Sequence, residues 1–96
     1  MFTHVVFFNL KDKSKESIKK AKNILLRVEG RVPTLKEIKV GIDVVRSARS
    51  YDLALITTFD SREGMDAYQV HPVHVEEVLG ELRPMLESSA SVDFEE

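Results

Sequence analysis

Two segments of this chain are apolar on both of their faces, and that property constrains the fold more than any other. Residues Phe2 to Leu10 read as a β-strand rich in Val and Phe, the residue types that suit a pleated surface. Side chains alternate along a strand. One face therefore carries Phe2, His4, Val6, Phe8 and Leu10, and the other Thr3, Val5, Phe7 and Asn9. Tyr51 to Phe59 repeats the pattern, with Tyr51, Leu53, Leu55, Thr57 and Phe59 on one side and Ala54 and Ile56 on the other. In a chain of 96 residues, helices can cover only one face of the sheet. Left in water, each Val, Leu or Phe of the second face would forfeit roughly 1.5–3 kcal/mol of burial. Together they would form a patch larger than monomers commonly expose. Packing two sheets face to face about a two-fold axis removes the difficulty, so the pattern predicts a homodimer.

The remaining elements follow from periodicity and punctuation. Asp12 or Ser14 caps a helix whose apolar residues Ile18, Ala21, Leu25 and Val28 recur at helical spacing, with Ile24 beside them. Gly30 and Pro33 end it. Leu35 to Val45 reads as a second strand, because Ile38, Val40, Ile42 and Val44 alternate with Lys39, Gly41 and Asp43. After the third strand, Asp60 and Glu63 have the spacing of a capping box. The helix they open turns Met65, Tyr68 and Ala67 inward. His71-Pro72 interrupts it, since a residue before proline resists the α conformation. Pro72 then opens a helix carrying Val75, Val78, Leu79 and Leu82. Ala90, Val92 and Phe94 alternate with Ser91, Asp93 and Glu95 in a last strand. The order β-α-β-β-α-β predicts a single α+β domain over residues 1–96, a ferredoxin-like antiparallel sheet with both helices on one face.

Composition narrows the function classes. Lys plus Arg is 14 and Asp plus Glu is 16, a net charge of −2, with no basic footprint for nucleic acid. A small local basic patch stays compatible with that balance. The Lys-rich face from Lys11 to Lys22 is interleaved with Asp12 and Glu16 and reads as a solubility surface. No cysteine is present, so disulfides, thiolate metal sites and Cys nucleophiles are excluded. No apolar run reaches the roughly 20 residues that span a bilayer, and no basic segment precedes the first apolar stretch. A cytoplasmic protein without membrane attachment is expected.

The chemistry-bearing residues concentrate. Two of the three histidines, His71 and His74, sit beside Tyr68 at the helix break, and the third, His4, is on the first strand. Histidine transfers protons near neutral pH, and a tyrosine hydroxyl can hold a developing oxyanion. In an apolar cleft such a pair could take a proton next to a carbonyl with no cofactor, an aldol or enolisation chemistry. A structural reading stands beside it: His71 bonding the broken backbone, Tyr68 and His4 as core residues, His74 in solvent. His71-x-x-His74 aided by His4 falls short of a usual zinc set, and no metal is expected. No glycine-rich phosphate loop or serine-nucleophile motif is present.

These residues carry a resemblance. His4-Val5-Val6-Phe7-Phe8, Tyr51-Asp52-Leu53-Ala54-Leu55 followed by Thr58-Phe59-Asp60-Ser61, Tyr68-x-x-His71-Pro72-x-His74 and Val92-Asp93-Phe94 resemble the stress-responsive dimeric α/β-barrel (Dabb) family across essentially the whole chain. The resemblance implies a homodimer whose sheets close into a barrel. A plant member of that family cyclises a linear polyketide by a cofactor-free aldol reaction. By analogy His74 would be the general base, Tyr68 its substrate-orienting partner and His4 a pocket histidine, with His71 and Pro72 supporting the bend. The first helix here offers Ile18, Ala21, Ile24 and Leu25 where that enzyme has aromatic side chains, which argues for a smaller apolar ligand. Two rival readings remain: a non-catalytic structural or stress-protective homodimer, and a cofactor-independent monooxygenase.

Overall fold

The computed structural model describes all 96 residues, Met1 to Glu96. The chain runs β1 (Phe2–Leu10), α1 (Lys15–Leu25), β2 (Glu37–Ile42), β3 (Leu53–Phe59) and α2 (Arg62–Val70). A π-helical segment, Val73–Leu79, then continues through one α turn (Gly80–Leu82) and one 3-10 turn (Arg83–Met85) into β4 (Leu86–Glu95). The four strands form one antiparallel sheet in the order β2-β3-β1-β4. This is the expected ferredoxin-like α+β arrangement.

Local chemistry sets the helix ends. Ser14, not Asp12, caps α1: its backbone is extended and its hydroxyl accepts the Ser17 N–H at 3.2 Å. Ile18, Ala21, Ile24 and Leu25 are buried against the sheet. The helix tightens into a 3-10 turn over Leu26–Val28 and stops at Gly30, whose φ of 72° is a left-handed conformation glycine adopts without steric cost. Arg27 and Arg31 tie this end to the π-helical segment through the Glu77 carbonyl and carboxylate, and Arg27 also to the following α turn through Glu81. α2 is capped by Ser61 rather than Asp60, the Ser61 hydroxyl accepting the Gly64 N–H. Ala67 faces solvent, so the inward face of α2 is Met65 and Tyr68 alone.

Strand boundaries differ from the periodicity where side-chain chemistry intervenes. β2 is shorter than Leu35 to Val45. At one end the Leu35 N–H folds back onto the Val32 carbonyl, and at the other the Asp43 carboxylate accepts the Arg46 N–H at 2.7 Å. Val44 and Val45 consequently stand 88% and 76% exposed in the β2–β3 connection. β3 begins at Leu53 because Asp52 turns its carboxylate inward, where it accepts from the Leu10 N–H, Lys13 and Arg46. β4 starts at Leu86, well before Ala90.

The register decides the faces. His4 lies opposite Thr57 and Asp93, and Val6 opposite Leu55 and Ser91, all on the helix side. On the outer side Val92, Val5 and Ile56 form one row and Ala90, Phe7 and Ala54 the next. Ile56, Val92 and Phe94 are exposed there, so this protomer does leave an apolar sheet face uncovered.

Candidate functional site

The site begins at the helix break. His71 precedes Pro72 and is extended (φ −65°, ψ 135°), which ends α2 at Val70. Its ring bridges the gap: Nδ1 accepts the Val73 N–H at 3.1 Å, while its backbone N–H donates to the Tyr68 carbonyl. Pro72 has helical dihedrals and starts the π-helical segment. Such wide turns are rare and gather at functional sites. This one carries His74 in its first turn and buries it.

His74 is held in one tautomer. Its Nδ1 lies 3.1 Å from the Gln69 carbonyl oxygen, which can only accept, so Nδ1 carries the proton and Nε2 the lone pair. Burial pushes its pKa below the usual histidine value, with the Gln69 carbonyl opposing and the electrostatic influence of His4 and Arg83 adding to the lowering. At neutral pH the ring is an uncharged base.

His4 sits across the cleft with its own partners. Asp93, opposite it on β4, accepts from His4 Nδ1. Gln69 approaches the other nitrogen, Nε2, at 3.4 Å, and its amide also contacts the Met65 sulfur at 3.3 Å. The bonds form a consistent chain: Nδ1–H of His4 donates to Asp93, and Nε2 accepts from the Gln69 amide.

Between these groups is a cleft of about 280 Å³. Val6, Phe8, Leu25, Leu55, Val78 and Leu82 give it apolar walls, and His4, Gln69, His74, Ser89 and Ser91 supply its polar groups. It is a small concave space with few polar groups, the usual form of a ligand site.

The candidates from the sequence are therefore placed unequally. His4 and His74 line the cleft together. Tyr68 does not. It is 1% exposed, with its ring 4.5 Å from that of His74 and 5.3 Å from that of Phe59, so it backs the base from behind. Burial pushes its hydroxyl pKa up to about 12. His71 and Pro72 shape the bend. No group of three or more His, Asp and Glu side chains is arranged to hold a metal ion.

Gln69 and Asp93 were not singled out from the sequence, nor were Ser89 and Ser91. The signal for Asp93 was available: antiparallel pairing of the first and last strands sets it opposite His4. Gln69 had none, because its backbone carbonyl, not only its side chain, fixes His74.

Comparison with known proteins agrees with this architecture. Residues 2–96 match the family model described as Stress responsive A/B Barrel Domain, Dabb. A dimeric ferredoxin-like protein of unknown function from Thermobifida fusca is 29% identical, with a TM-score of 0.83, covering 97% of this chain and 88% of that one. The Arabidopsis thaliana protein At3g17210 is 24% identical with a TM-score of 0.85, covering 100% and 95%. A hydroxynitrile lyase from Passiflora edulis is 23% identical with a TM-score of 0.81, covering 97% and 90%. No curated protein matches the chain. No helix is long and apolar enough to cross a membrane.

Proposed function

The chain belongs to the stress-responsive A/B barrel (Dabb) family, and from that premise we propose that it is a homodimer that binds a small apolar carbonyl compound in the cleft between His4 and His74 and acts on it by cofactor-free acid–base chemistry. The observation that carries this reading is the state of His74: neutral, buried, and fixed through Nδ1 so that the Nε2 lone pair is the free end of the ring. That nitrogen takes a proton from the carbon beside the carbonyl. The enolate oxygen that results needs donors, and the cleft offers the hydroxyls of Ser89 and Ser91, the Gln69 amide being engaged by His4 and the Met65 sulfur. Tyr68 then acts by packing and orienting His74, not as the oxyanion donor. At about 280 Å³ the cleft suits a compound of roughly ten heavy atoms better than an extended polyketide. The Passiflora lyase, at its level of identity, contributes a likeness of fold only.

The homodimer rests on the uncovered outer face, where Ile56, Val92 and Phe94 are exposed beside Val5 and Phe7. Dimeric relatives of the same fold support it.

The test is exchange of deuterium from solvent into the α-carbon of small ketones and aldehydes, phenylacetaldehyde among them, followed by proton NMR. The protein accelerates exchange for a compound it binds, and His74→Gln removes the acceleration while the ligand still binds. A second reading, a non-catalytic dimer, is favoured by the close stacking of Tyr68 between Phe59 and His74. It predicts that His74→Gln lowers the melting temperature and that no bound carbonyl exchanges faster than in buffer.

A further inference from the structure

A second, larger concavity lies away from the histidines, between α1 and the β2–β3 connection, with a volume of about 780 Å³. Its charge is one-sided. Lys13, Lys15, Lys19, Lys22 and Arg46 line it against the single carboxylate of Asp43, although the whole chain is net acidic. Two of the five cations are already engaged, Lys13 with Asp52 and Arg46 with Asp52 and Asp43. Lys15, Lys19 and Lys22 have no carboxylate within ion-pair distance. Their spacing puts them on one face of α1, where like charges repel one another.

The floor is apolar. Ile18 and Ile42 lie beneath the cations, and Val44, almost wholly exposed, forms the opposite wall. Arg46 closes that wall in a costly backbone conformation, φ 56°, a left-handed geometry a side-chain-bearing residue seldom takes. Its backbone N–H and guanidinium are pinned by Asp43 and Asp52, which fixes a cation at the rim. Ile42 is in register with Leu53 on the helix side of the sheet, and at the sheet edge it and Asp43 also border a concavity lined by Phe7 and Ala54 of the outer face.

We propose that this groove is a second binding site, for a small amphiphilic anion whose carboxylate or phosphate group meets Lys19, Lys22 and Arg46 and whose apolar tail lies on Ile18, Ile42 and Val44. An anion there relieves the repulsion among the unpaired lysines, and the tail removes Val44 and Ile42 from water. Neither half of the ligand alone satisfies the groove. The inference is independent of the chemistry at His74.

The experiment is an amide ¹⁵N–¹H NMR titration of the full chain with octanoate, compared with octanamide, which has the same tail without the charge. Octanoate shifts the amides of Lys19, Lys22, Ile42 and Val44, and octanamide leaves them unmoved. The surface variant Lys19→Gln/Lys22→Gln weakens octanoate binding roughly tenfold, and added salt weakens it further because these charges are solvated. Three outcomes overturn the proposal: shifts centred on His4, Gln69 and His74, an affinity unchanged in the double variant, or a response to phosphatidylglycerol vesicles with none to free octanoate, which would make the face a membrane-docking surface.

Discussion

Asp52 is the most consequential charge in the fold, and replacing it with Asn gives a prediction with a calculable size. Its carboxylate is 1% exposed and accepts three hydrogen bonds, from the Leu10 N–H at 2.8 Å, Lys13 Nζ at 2.9 Å and Arg46 Nη2 at 2.8 Å. They join the end of β1, the approach to α1 and the β2–β3 connection. Asn keeps one accepting oxygen, enough for the buried Leu10 N–H. Its amide nitrogen, however, faces a cation and loses a partner, at about 1–3 kcal/mol. The side chains of Lys13 and Arg46 are 46% and 42% exposed and regain water, so each lost ion pair adds only about 0–1 kcal/mol. The expected loss is about 1–5 kcal/mol, and a mid-range loss of about 3 kcal/mol is roughly 12–24 °C in melting temperature for a domain of this size. A domain with about 5–15 kcal/mol to lose should still fold.

Acid supplies the second half of the test. Burial alone would raise the Asp52 pKa, but the bonds from Leu10, Lys13 and Arg46 outweigh it and hold the carboxyl below its ordinary 3.8. A depressed pKa contributes stability that is present above the unfolded value and lost as pH falls through the folded one. Urea unfolding followed by circular dichroism should therefore show a full gap between wild type and Asp52→Asn at neutral pH that narrows once the pH drops below about 4. A gap under about 0.5 kcal/mol at neutral pH, or one that stays constant into acid, would refute the view that three donors to one carboxylate organise this corner.

Three further outcomes follow from the same geometry. In a ¹⁵N–¹H titration of the histidine rings, His74 stays neutral with its proton on Nδ1 to a pH below the usual 6.5, and the stability it contributes falls as the pH descends through that lowered value; protonation at or above 6.5 contradicts its burial. Tyr68→Phe keeps the ring between Phe59 and His74 and changes stability by less than about 1 kcal/mol, whereas Tyr68→Ala costs about 3–5 kcal/mol; calorimetry separates the two, and an equal loss from both would place the weight on the hydroxyl instead. Val92→Asp introduces a charge at a position 57% exposed in the protomer, so sedimentation velocity should find folded monomer where the proposed homodimer predicts a wild-type dimer, and a variant that remains dimeric would remove the outer face as the interface.

Alternation and capping made most of this fold legible, and the exceptions share a cause. β1 was readable to the residue because Phe2 to Leu10 is a Val- and Phe-rich run without glycine or proline, followed at once by the polar Lys11, Asp12 and Lys13. β2 was overextended at Val44 and Val45 because their apolar character continues the pattern, while Asp43, two positions on from Gly41, stops it by binding the Arg46 backbone. Residue type recorded the hydrophobicity, but the hydrogen bond decided the boundary. The cleft divides the same way. His4 and His74 were recognisable as chemistry-bearing, and the first and last strands bring His4 against Asp93. Tyr68 lies behind His74 because Pro72 shifts the chain into a π-helical turn, and a helix of ordinary pitch extrapolated across that proline cannot find this rotation. The same turn carries His74 back over the Gln69 carbonyl and so selects which ring nitrogen holds the proton. The break in the helix is thus what holds a buried histidine in one tautomer, and under the proposed function restoring regular helix there should abolish the deuterium exchange before it dissolves the fold.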